Sequence, residues 1–281
     1  MSSSLPTDAG FLYVATQPHH VEEAARSWAS VRTQHPEARA VLHTDCPEQA
    51  AEHFSEVLVL ENPTGTPLDK IRPLAQSPFS RTLFLDTDTL VLGSLSSVFT
   101  MLDLFDPLVA RDPWAVAEPG PPDPLRQYNT GVLAYWGDRE AVRNFFREWD
   151  VDYRTMVAEE GRYTNDQRSF QRLIGGALFR WFTLGESYNL RTNAPGIVRP
   201  MESAVILHGR RGAPEGVASI VNQNPHGFRV YFPSLESLAS VDFVLPDRAE
   251  RRLLRLLLLP LSIWFRIRRR WAGRSTVAAY R

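Results

Sequence analysis

The chain has 281 residues, 43% of them hydrophobic, which is enough to bury one sizeable core with a small appendage. Its formal net charge is −1, but residues 247–281 hold ten arginines against Asp247 and Glu250, a net charge of +8, so residues 1–246 carry −9. An acidic body with a basic tail argues against a nucleic-acid binder, whose basic patch would normally lie on the folded domain. The single cysteine, Cys46, excludes an internal disulfide and fits a reducing compartment.

The first residues contain neither a basic n-region nor an apolar h-region, so no signal peptide is predicted. No run of about 18 apolar residues is present, so no single helix is expected to span a bilayer. The simplest prediction for the location is the cytoplasm.

Strands and helices are predicted to alternate along the chain. Residues 11–15 are rich in strand formers, and residues 19–34 have the apolar spacing of an amphipathic helix. Strand–helix–strand order at this spacing predicts an α/β fold with a parallel sheet. The segment 117–127, with four prolines and a glycine, is predicted to be a loop over the site. Further strands are predicted at 39–43, 56–60, 83–85, 108–110, 131–136, 179–182 and 204–207, and a further helix at 140–149.

The strand predicted at 83–85 leads directly into Asp86, Thr87 and Asp88. Carboxylates one residue apart at a strand end can reach the same small volume if the chain bends there, and they repel unless a cation neutralises them. Oxygen ligands suit Mg²⁺ or Mn²⁺. Because ligands of open α/β sheets bind outside the carboxyl ends of the strands, we expect chemistry here. The alternative is a surface turn, in which Asp and Thr are common.

Lys70 is the only lysine beside thirty arginines. In a chain this rich in arginine, a lysine indicates a position that requires a compact ammonium group. The alternative is a lysine that is present by chance on a solvated face. Asn129 supplies an acceptor and donors suited to sugar hydroxyls, and Gly131 would let the backbone approach a ligand closely. The alternative for Asn129 is a turn residue before a strand.

The ends of the first two strands are candidates for a nucleotide pocket. Val14, Ala15 and Thr16 close the first strand, and Asp45 follows the second, where it could bond a base or a ribose. The alternative is a pair of ordinary strand-to-helix turns, with Asp45 as a cap before Pro47.

The segment 164–167 has the spacing of a capping box, with Thr164 as the cap and Gln167 three residues on. An acid at Asp166 would complement the helix dipole, which gives it a purely structural explanation. A functional role is compatible with this, because a helix N-terminus holds a side chain rigidly. His208 ends the strand predicted at 204–207 and could ligate a metal or be a polar residue at a loop mouth.

These landmarks occur in one order: the stretch from Lys70 through Asp88, then 129–133, then Asp166-Gln167, then His208-Gly209. In that order, over roughly residues 10–210, the chain resembles nucleotide-sugar glycosyltransferases of the GT-A fold, in particular the glycosyltransferase family 8-like bacterial enzymes that add hexoses to surface glycans. The resemblance implies a Rossmann-like, mixed and mostly parallel sheet flanked by helices in residues 1–246.

The resemblance also implies roles for the candidate residues. Asp86, Asp88 and His208 would hold a divalent metal, Mn²⁺ or Mg²⁺, against the donor diphosphate. Asp166 would be an acidic residue that faces the sugar or the acceptor, and Asn129 and Gln167 would complete the catalytic set. Arg210 and Arg211 stand where the family has a lysine soon after the histidine, and either could bind the diphosphate bidentately. The donor would contact Val14, Ala15, Thr16, Asp45, Lys70, Asp86, Thr87 and Arg210.

The basic tail at 247–281 interleaves Leu, Ile, Trp and Phe with Arg. Its longest uncharged stretch, 256–265, is ten residues, too short to span about 30 Å of hydrocarbon, and it contains Pro260. The pattern predicts an element that lies in the interface of an anionic membrane surface, on the inner face, where the acceptor would be a lipid-linked or membrane-presented glycan. The alternative is a helix packed on the acidic body.

The predicted function is therefore metal-dependent transfer of a hexose from a nucleoside-diphosphate donor, such as a UDP-hexose, to a hydroxyl of a glycan or lipid-linked acceptor. A non-catalytic nucleotide-sugar binding protein on the same fold is one alternative. A haloacid dehalogenase-type phosphohydrolase is another, although its pattern wants Thr or Val at the position of Leu90.

Overall fold

The computed structural model describes residues 4–111, 128–161, 165–192, 196–210, 214–223, 225–226 and 229–231. The loop predicted at 117–127, the cap predicted at Thr164, the alternative diphosphate ligand Arg211 and the basic tail lie outside these residues.

The described residues form strands β1 Ala9–Ala15, β2 Ala40–Thr44, β3 Glu56–Val59, β4 Arg81–Leu85, β5 Thr89–Val91, β6 Leu108–Arg111, β7 Tyr128–Trp136, β8 Phe182–Leu184, β9 Leu190–Arg191, β10 Gly196–Val198, β11 Ile206–His208 and β12 Arg229–Tyr231. The α-helices are α1 Pro18–Gln34, α2 Pro47–Ala50, α3 Leu68–Leu74, α4 Ser96–Met101, α5 Glu140–Glu160, α6 Gln167–Ile174 and α7 Pro214–Val221.

Seven strands form the central sheet in the order β3-β2-β1-β4-β7-β6-β8. The pairs among β3, β2, β1 and β4 are parallel, and β6 and β8 are also parallel. Strand β7 runs antiparallel to both of its neighbours, β4 and β6. The sheet is thus mixed and mostly parallel, with helices on its faces, and the fold class implied by the GT-A resemblance is confirmed.

The sheet is buried on both faces, as expected for parallel strands with helices on either side. Phe11 and Tyr13 of β1 lie in the core cluster that includes Trp28 of α1, whereas Leu12 lies in the opposite cluster with Trp149 of α5. This alternation follows from the two-residue period of a strand. It decides which residues of β1 can reach the functional site.

Helix α5 continues well beyond the segment predicted at 140–149. Its buried positions include Trp149, Tyr153 and Met156, so the apolar spacing of three to four residues persists into the added turns. The helix ends before Gly161, which has a φ of 65°.

A small three-stranded sheet in the order β5-β11-β9 lies next to the point where β4 ends. Strand β11 pairs antiparallel with β5, so that His208 is opposite Thr89, and parallel with β9, so that His208 is opposite Arg191. This sheet brings a residue more than a hundred positions away to the Asp86–Asp88 turn.

Two late strands differ from the prediction. The strand expected at 204–207 is β11, which spans Ile206–His208 and belongs to the small sheet. The strand expected at 179–182 is wrong except for Phe182, where β8 begins and pairs with Leu108 of β6. In the part of the chain that the structure describes, no helix has the length and apolar character needed to cross a bilayer.

Candidate active site

A cleft of about 320 Å³ opens at the carboxyl ends of β1 and β4. This is the edge of the sheet where the strand-end rule places ligands. Its walls come from the ends of these strands, the turn before α3, the start of β7, the start of α6, and the segment after β11. The lining residues are Val14, Thr16, His20, Gly65, Thr66, Pro67, Asp69, Lys70, Asp86, Thr87, Asp88, Asn129, Asp166, Gln167, Arg191, His208 and Arg210.

Asp86, Asp88 and His208 meet at the floor of the cleft. The Nε2 atom of His208 is 3.5 Å from Asp86 Oδ2 and 3.2 Å from Asp88 Oδ1, and ligand atoms of all three residues lie within 4.8 Å of one another. His208 is only 2% exposed. Three side chains from two distant segments therefore converge on one small volume.

Backbone hydrogen bonds fix the turn that carries the two aspartates. The amide of Asp86 donates to the carbonyl of Gly131 at 2.8 Å, and the amide of Gly209 donates to the carbonyl of Asp88 at 2.9 Å. The hydroxyl of Thr89 donates to the carbonyl of Asp86 at 2.8 Å. A Cβ atom at position 131 would overlap with His208 Cε1 and Asp86 Oδ2, so only glycine leaves room for both side chains.

The three side chains fit a divalent metal. Carboxylate oxygens are the ligands that Mg²⁺ and Mn²⁺ prefer, and an imidazole nitrogen is also acceptable to Mn²⁺. Burial acts to raise the pKa of Asp86, but the charge of Lys70 and the hydrogen bond from His208 outweigh it and hold that pKa well below its ordinary value. Asp88 follows the same pattern, with His208 as the main cause of its lowered pKa. Both carboxylates are thus available as anions.

Lys70 on α3 contacts both the metal-ligand cluster (Asp86, Asp88 and His208) and the opposite wall of the cleft. Its Nζ atom is 3.5 Å from Asp86 Oδ1 and 3.1 Å from Asp166 Oδ2, and it donates to Thr130 Oγ1 at 3.1 Å. The side chain is only 14% exposed. Burial alone would lower the pKa of Lys70, but the two carboxylates outweigh it and raise that pKa, so the ammonium stays charged.

Asp166 is held at the entrance to α6. It is 5% exposed, and its Oδ2 accepts a hydrogen bond from the Thr130 hydroxyl at 2.7 Å as well as the contact with Lys70. The helix begins at Gln167, and the amide of Gln167 donates to Asn165 Oδ1 at 2.9 Å. The side chain of Asn165 therefore satisfies one backbone amide at the start of α6.

Asn129 lies at the start of β7 and is 4% exposed. Its Oδ1 accepts a hydrogen bond from the amide of Gly131 at 3.0 Å. Because the oxygen is engaged by the backbone, its amide nitrogen is the group left to donate to a ligand.

The predicted nucleotide pocket is only partly assembled as expected. Val14 and Thr16 line the cleft. Ala15 alternates to the other face of β1, where it is buried in the core. Asp45 does not line the cleft. Its Oδ1 accepts a hydrogen bond from the amide of Gln17 at 2.9 Å, which fastens the turn between β1 and α1.

Arg210 follows the small sheet and lines the cleft beside Asp88. Its Nη1 atom is 3.7 Å from Asp88 Oδ2, and two further nitrogens pair with Glu23 of α1. The Thr87 hydroxyl also donates to Glu23, at 3.0 Å. Burial acts to raise the pKa of Glu23, but Arg210 and Thr87 outweigh it and lower that pKa.

Several functional positions were not predicted from the sequence. Asp69 accepts hydrogen bonds from the amides of Thr64 and Gly65, at 2.8 Å and 2.7 Å, and so shapes the turn before α3. That turn follows β3 at the ligand-binding edge, so the strand-end rule could have indicated it. Asn189 Oδ1 contacts His208 Nδ1, and no sequence pattern around Asn189 indicates this contact. The other unpredicted lining residues are His20, Gly65, Thr66, Pro67 and Arg191.

No family model matches the sequence, and no curated protein matches it significantly. Among solved structures, the chain is similar to the glycosyltransferase GlyE of Streptococcus pneumoniae TIGR4, with 15% identity and a TM-score of 0.47, over 76% of this chain and 50% of GlyE. It is also similar to the galactosyltransferase LgtC, solved with donor and acceptor sugar analogs, with 16% identity and a TM-score of 0.46, over 65% of this chain and 75% of LgtC. The chain spans about half the length of GlyE. Similarity this distant assigns no substrate, and membership of glycosyltransferase family 8 stays a prediction.

Proposed function

We propose that this chain is a metal-dependent glycosyltransferase, which moves a sugar from a nucleoside-diphosphate donor such as a UDP-hexose to a hydroxyl of a glycan or lipid-linked acceptor. One observation carries the proposal: a three-residue metal-ligand set, two cationic side chains and a hydrogen-bonding wall converge in a single cleft. A nucleotide sugar divides in the same way, into a charged diphosphate and an uncharged sugar rich in hydroxyls.

The cationic side chains suit the diphosphate. A divalent cation on Asp86, Asp88 and His208 would supply Lewis-acid stabilisation of the negative charge on the departing diphosphate. The guanidinium of Arg210, at the rim beside Asp88, can bind phosphate oxygens bidentately. Lys70 adds a fixed positive charge and holds Asp86 in place. Charges oriented before the reaction stabilise the transition state without further reorganisation.

The opposite wall suits the sugar. Asp166 offers carboxylate oxygens whose position is fixed by Thr130 and Lys70, and Asn129 offers amide donors. Gln167 is the first residue of α6, so its side chain starts from a rigid backbone. Such a wall would orient the anomeric carbon toward the acceptor hydroxyl. The hydroxyl oxygen forms the new bond as the bond to the diphosphate oxygen breaks, and the hydroxyl proton passes to the departing diphosphate or to solvent.

Calorimetric titration with a panel of nucleoside diphosphates, with and without Mn²⁺, tests the proposal when it is combined with an assay of diphosphate release from the matching sugar nucleotides. We expect metal-dependent binding and transfer, and we expect Asp88→Asn to abolish both while its melting transition stays cooperative. Asp138→Asn, at an exposed position between β7 and α5, is the matched control.

Other results would favour other functions. Transfer by Asp88→Asn in excess EDTA at the wild-type rate would exclude the proposed metal role. Metal-dependent binding without turnover of any donor would favour a non-catalytic nucleotide-sugar binding protein. Release of phosphate from simple phosphoesters would favour a phosphohydrolase.

We also propose that residues 247–281 attach the enzyme to the inner face of a membrane, where it would meet a lipid-linked or membrane-presented glycan. The support is the pattern of the sequence, in which arginines alternate with Leu, Ile, Trp and Phe. Basic amphipathic segments bind anionic headgroups through their charges and bury their apolar groups just below them.

A further inference from the structure

The side-chain amide of Asn189 connects the metal-ligand cluster to the central sheet. Its Oδ1 atom is 2.7 Å from His208 Nδ1, and its Nδ2 donates to the backbone carbonyl of Arg111 at 2.7 Å. Asn189 is fully buried, and His208 is nearly so. Arg111 is the last residue of β6, so one amide links the small sheet to the large one.

These two hydrogen bonds fix which way the amide points. A carbonyl oxygen can only accept, so the NH₂ group of Asn189 must face Arg111 and its oxygen must face His208. That oxygen can also only accept, so Nδ1 of His208 must carry a hydrogen. Nε2 faces the carboxylates of Asp86 and Asp88, which also can only accept, so the metal-free imidazole holds a proton on each nitrogen. A metal that displaces the Nε2 proton would leave Nδ1–H in place and meet the lone pair of Nε2.

We propose that Asn189 is a positioning residue that selects the Nδ1–H tautomer of His208 and thereby presents Nε2 as the third metal ligand. The inference rests on the metal-dependent function proposed above. It assigns to Asn189 a role in metal affinity, with no direct contact with the substrate. The bond to Arg111 adds orientation, because it fixes the imidazole relative to the sheet that carries Asp86.

Replacement of Asn189 by leucine tests this role, because leucine has a similar size and makes neither hydrogen bond. Partners of metal-ligating histidines typically change metal affinity by roughly 10- to 100-fold when they are removed. We therefore expect Asn189→Leu to weaken Mn²⁺ binding by about that factor, measured by calorimetry with Mn²⁺ alone on the full chain. Asn189→Asp keeps an acceptor for Nδ1–H but loses the donor to the Arg111 carbonyl, and we expect it to recover part of the lost affinity.

Asn222 provides a matched control in the same region. Its side chain also bonds two backbone groups, the amide and the carbonyl of Ala204, at 2.8 Å and 2.9 Å, but the structure records no contact between it and His208. We expect Asn222→Leu to lower the melting temperature and to leave Mn²⁺ affinity within about threefold of wild type. Equal losses of affinity in Asn222→Leu and Asn189→Leu would overturn the proposal, since both would then act through stability.

A spectroscopic measurement tests the tautomer without any variant. In ¹⁵N spectra of the protein saturated with diamagnetic Mg²⁺, we expect His208 to be protonated at Nδ1 only, and an Nε2–H tautomer would overturn the inference. If wild type binds Mn²⁺ and transfers sugar but Asn189→Leu binds Mn²⁺ equally well, the positioning role is wrong and the proposed function stands. If wild type binds no Mn²⁺, the proposed function is wrong and this inference is wrong with it.

Discussion

Glu23 on α1 forms a bidentate ion pair with Arg210. Arg210 Nε donates to Glu23 Oε1 at 2.7 Å, and Arg210 Nη2 donates to Glu23 Oε2 at 2.8 Å. The pair fastens the segment after His208 to α1 and leaves Nη1 on the side of Asp88. A guanidinium can therefore be anchored and still present a donor to the cleft. In the proposed function, Arg210 would hold one edge of a bound diphosphate.

Arg210→Ala is expected to weaken donor binding through the phosphates. A hydrogen bond to a charged group contributes about 1.5–3 kcal/mol, so we expect the Kd for the nucleoside diphosphate to rise at least tenfold. The Kd for the corresponding nucleoside, which has no phosphate, should change little. Arg147→Ala on the exposed face of α5 is the control. Equal weakening for nucleoside and diphosphate would contradict a phosphate contact.

Lys70→Arg is expected to reduce kcat/KM by at least tenfold although the charge is kept. The ammonium contacts Thr130, Asp86 and Asp166 in a space that leaves it 14% exposed, and a longer planar guanidinium cannot make the same three contacts there. Steady-state kinetics and thermal melting measure the effect. Arg72→Lys, at an exposed position on the same helix, is the control. Wild-type kinetics for Lys70→Arg would show that the reaction does not require an ammonium group at this position.

Metal binding is expected to strengthen with pH. Burial would lower the pKa of His208, but the carboxylates of Asp88 and Asp86 outweigh it and raise that pKa, so the metal-free imidazole keeps a proton that the metal must displace. The stability that this proton contributes is present below about pH 6.5 and is lost as pH rises through the raised pKa.

The gain in melting temperature on adding a divalent metal should therefore increase from about pH 6 to about pH 8. His208→Gln should remove this increase, whereas His53→Gln, at an exposed position, should not. A metal-induced gain that is constant over this range would indicate that His208 does not ligate the ion.

Deletion of residues 248–281 is expected to release the protein from membranes. The truncated chain should bind nucleoside diphosphate as before but should no longer sediment with anionic vesicles at low salt, because ten arginines have been removed with their apolar neighbours. Two outcomes would instead favour a tail that packs on the acidic body: full-length protein that does not bind such vesicles, or a truncated chain that unfolds.

The sequence was most informative where structure is local. The helix α1 and the strands β1 to β4 have apolar periodicities that extend over several residues, and the strand-end rule placed Asp86 at the edge of the sheet where the cleft opens. The direction of individual side chains was harder to predict, because it depends on which residues of a strand face each side of the sheet. Ala15 is adjacent to two cleft residues in the sequence but faces the core.

The small sheet β5-β11-β9 could not be predicted in the same way. Its strands have two or three residues, too few to show a period, and β5 pairs with β11 across more than a hundred positions. His208 was a candidate because of its place in the order of motifs, and nothing near Asn189 in the sequence indicates that it contacts a ligand. Contacts of this kind are decided by tertiary pairing.

The absence of a side chain at Gly131 affects how related sequences should be interpreted. A methyl group there would fill the space between His208 and Asp86 without disturbing the pairing of β7, so a chain could keep its sheet and its two aspartates and still lose the centre. An Asp-x-Asp pair is therefore an incomplete indicator of an active protein on this fold. A glycine two residues after the asparagine near the start of the antiparallel strand should accompany it, and an alanine at that position would indicate a chain that keeps the architecture but has lost the candidate metal centre.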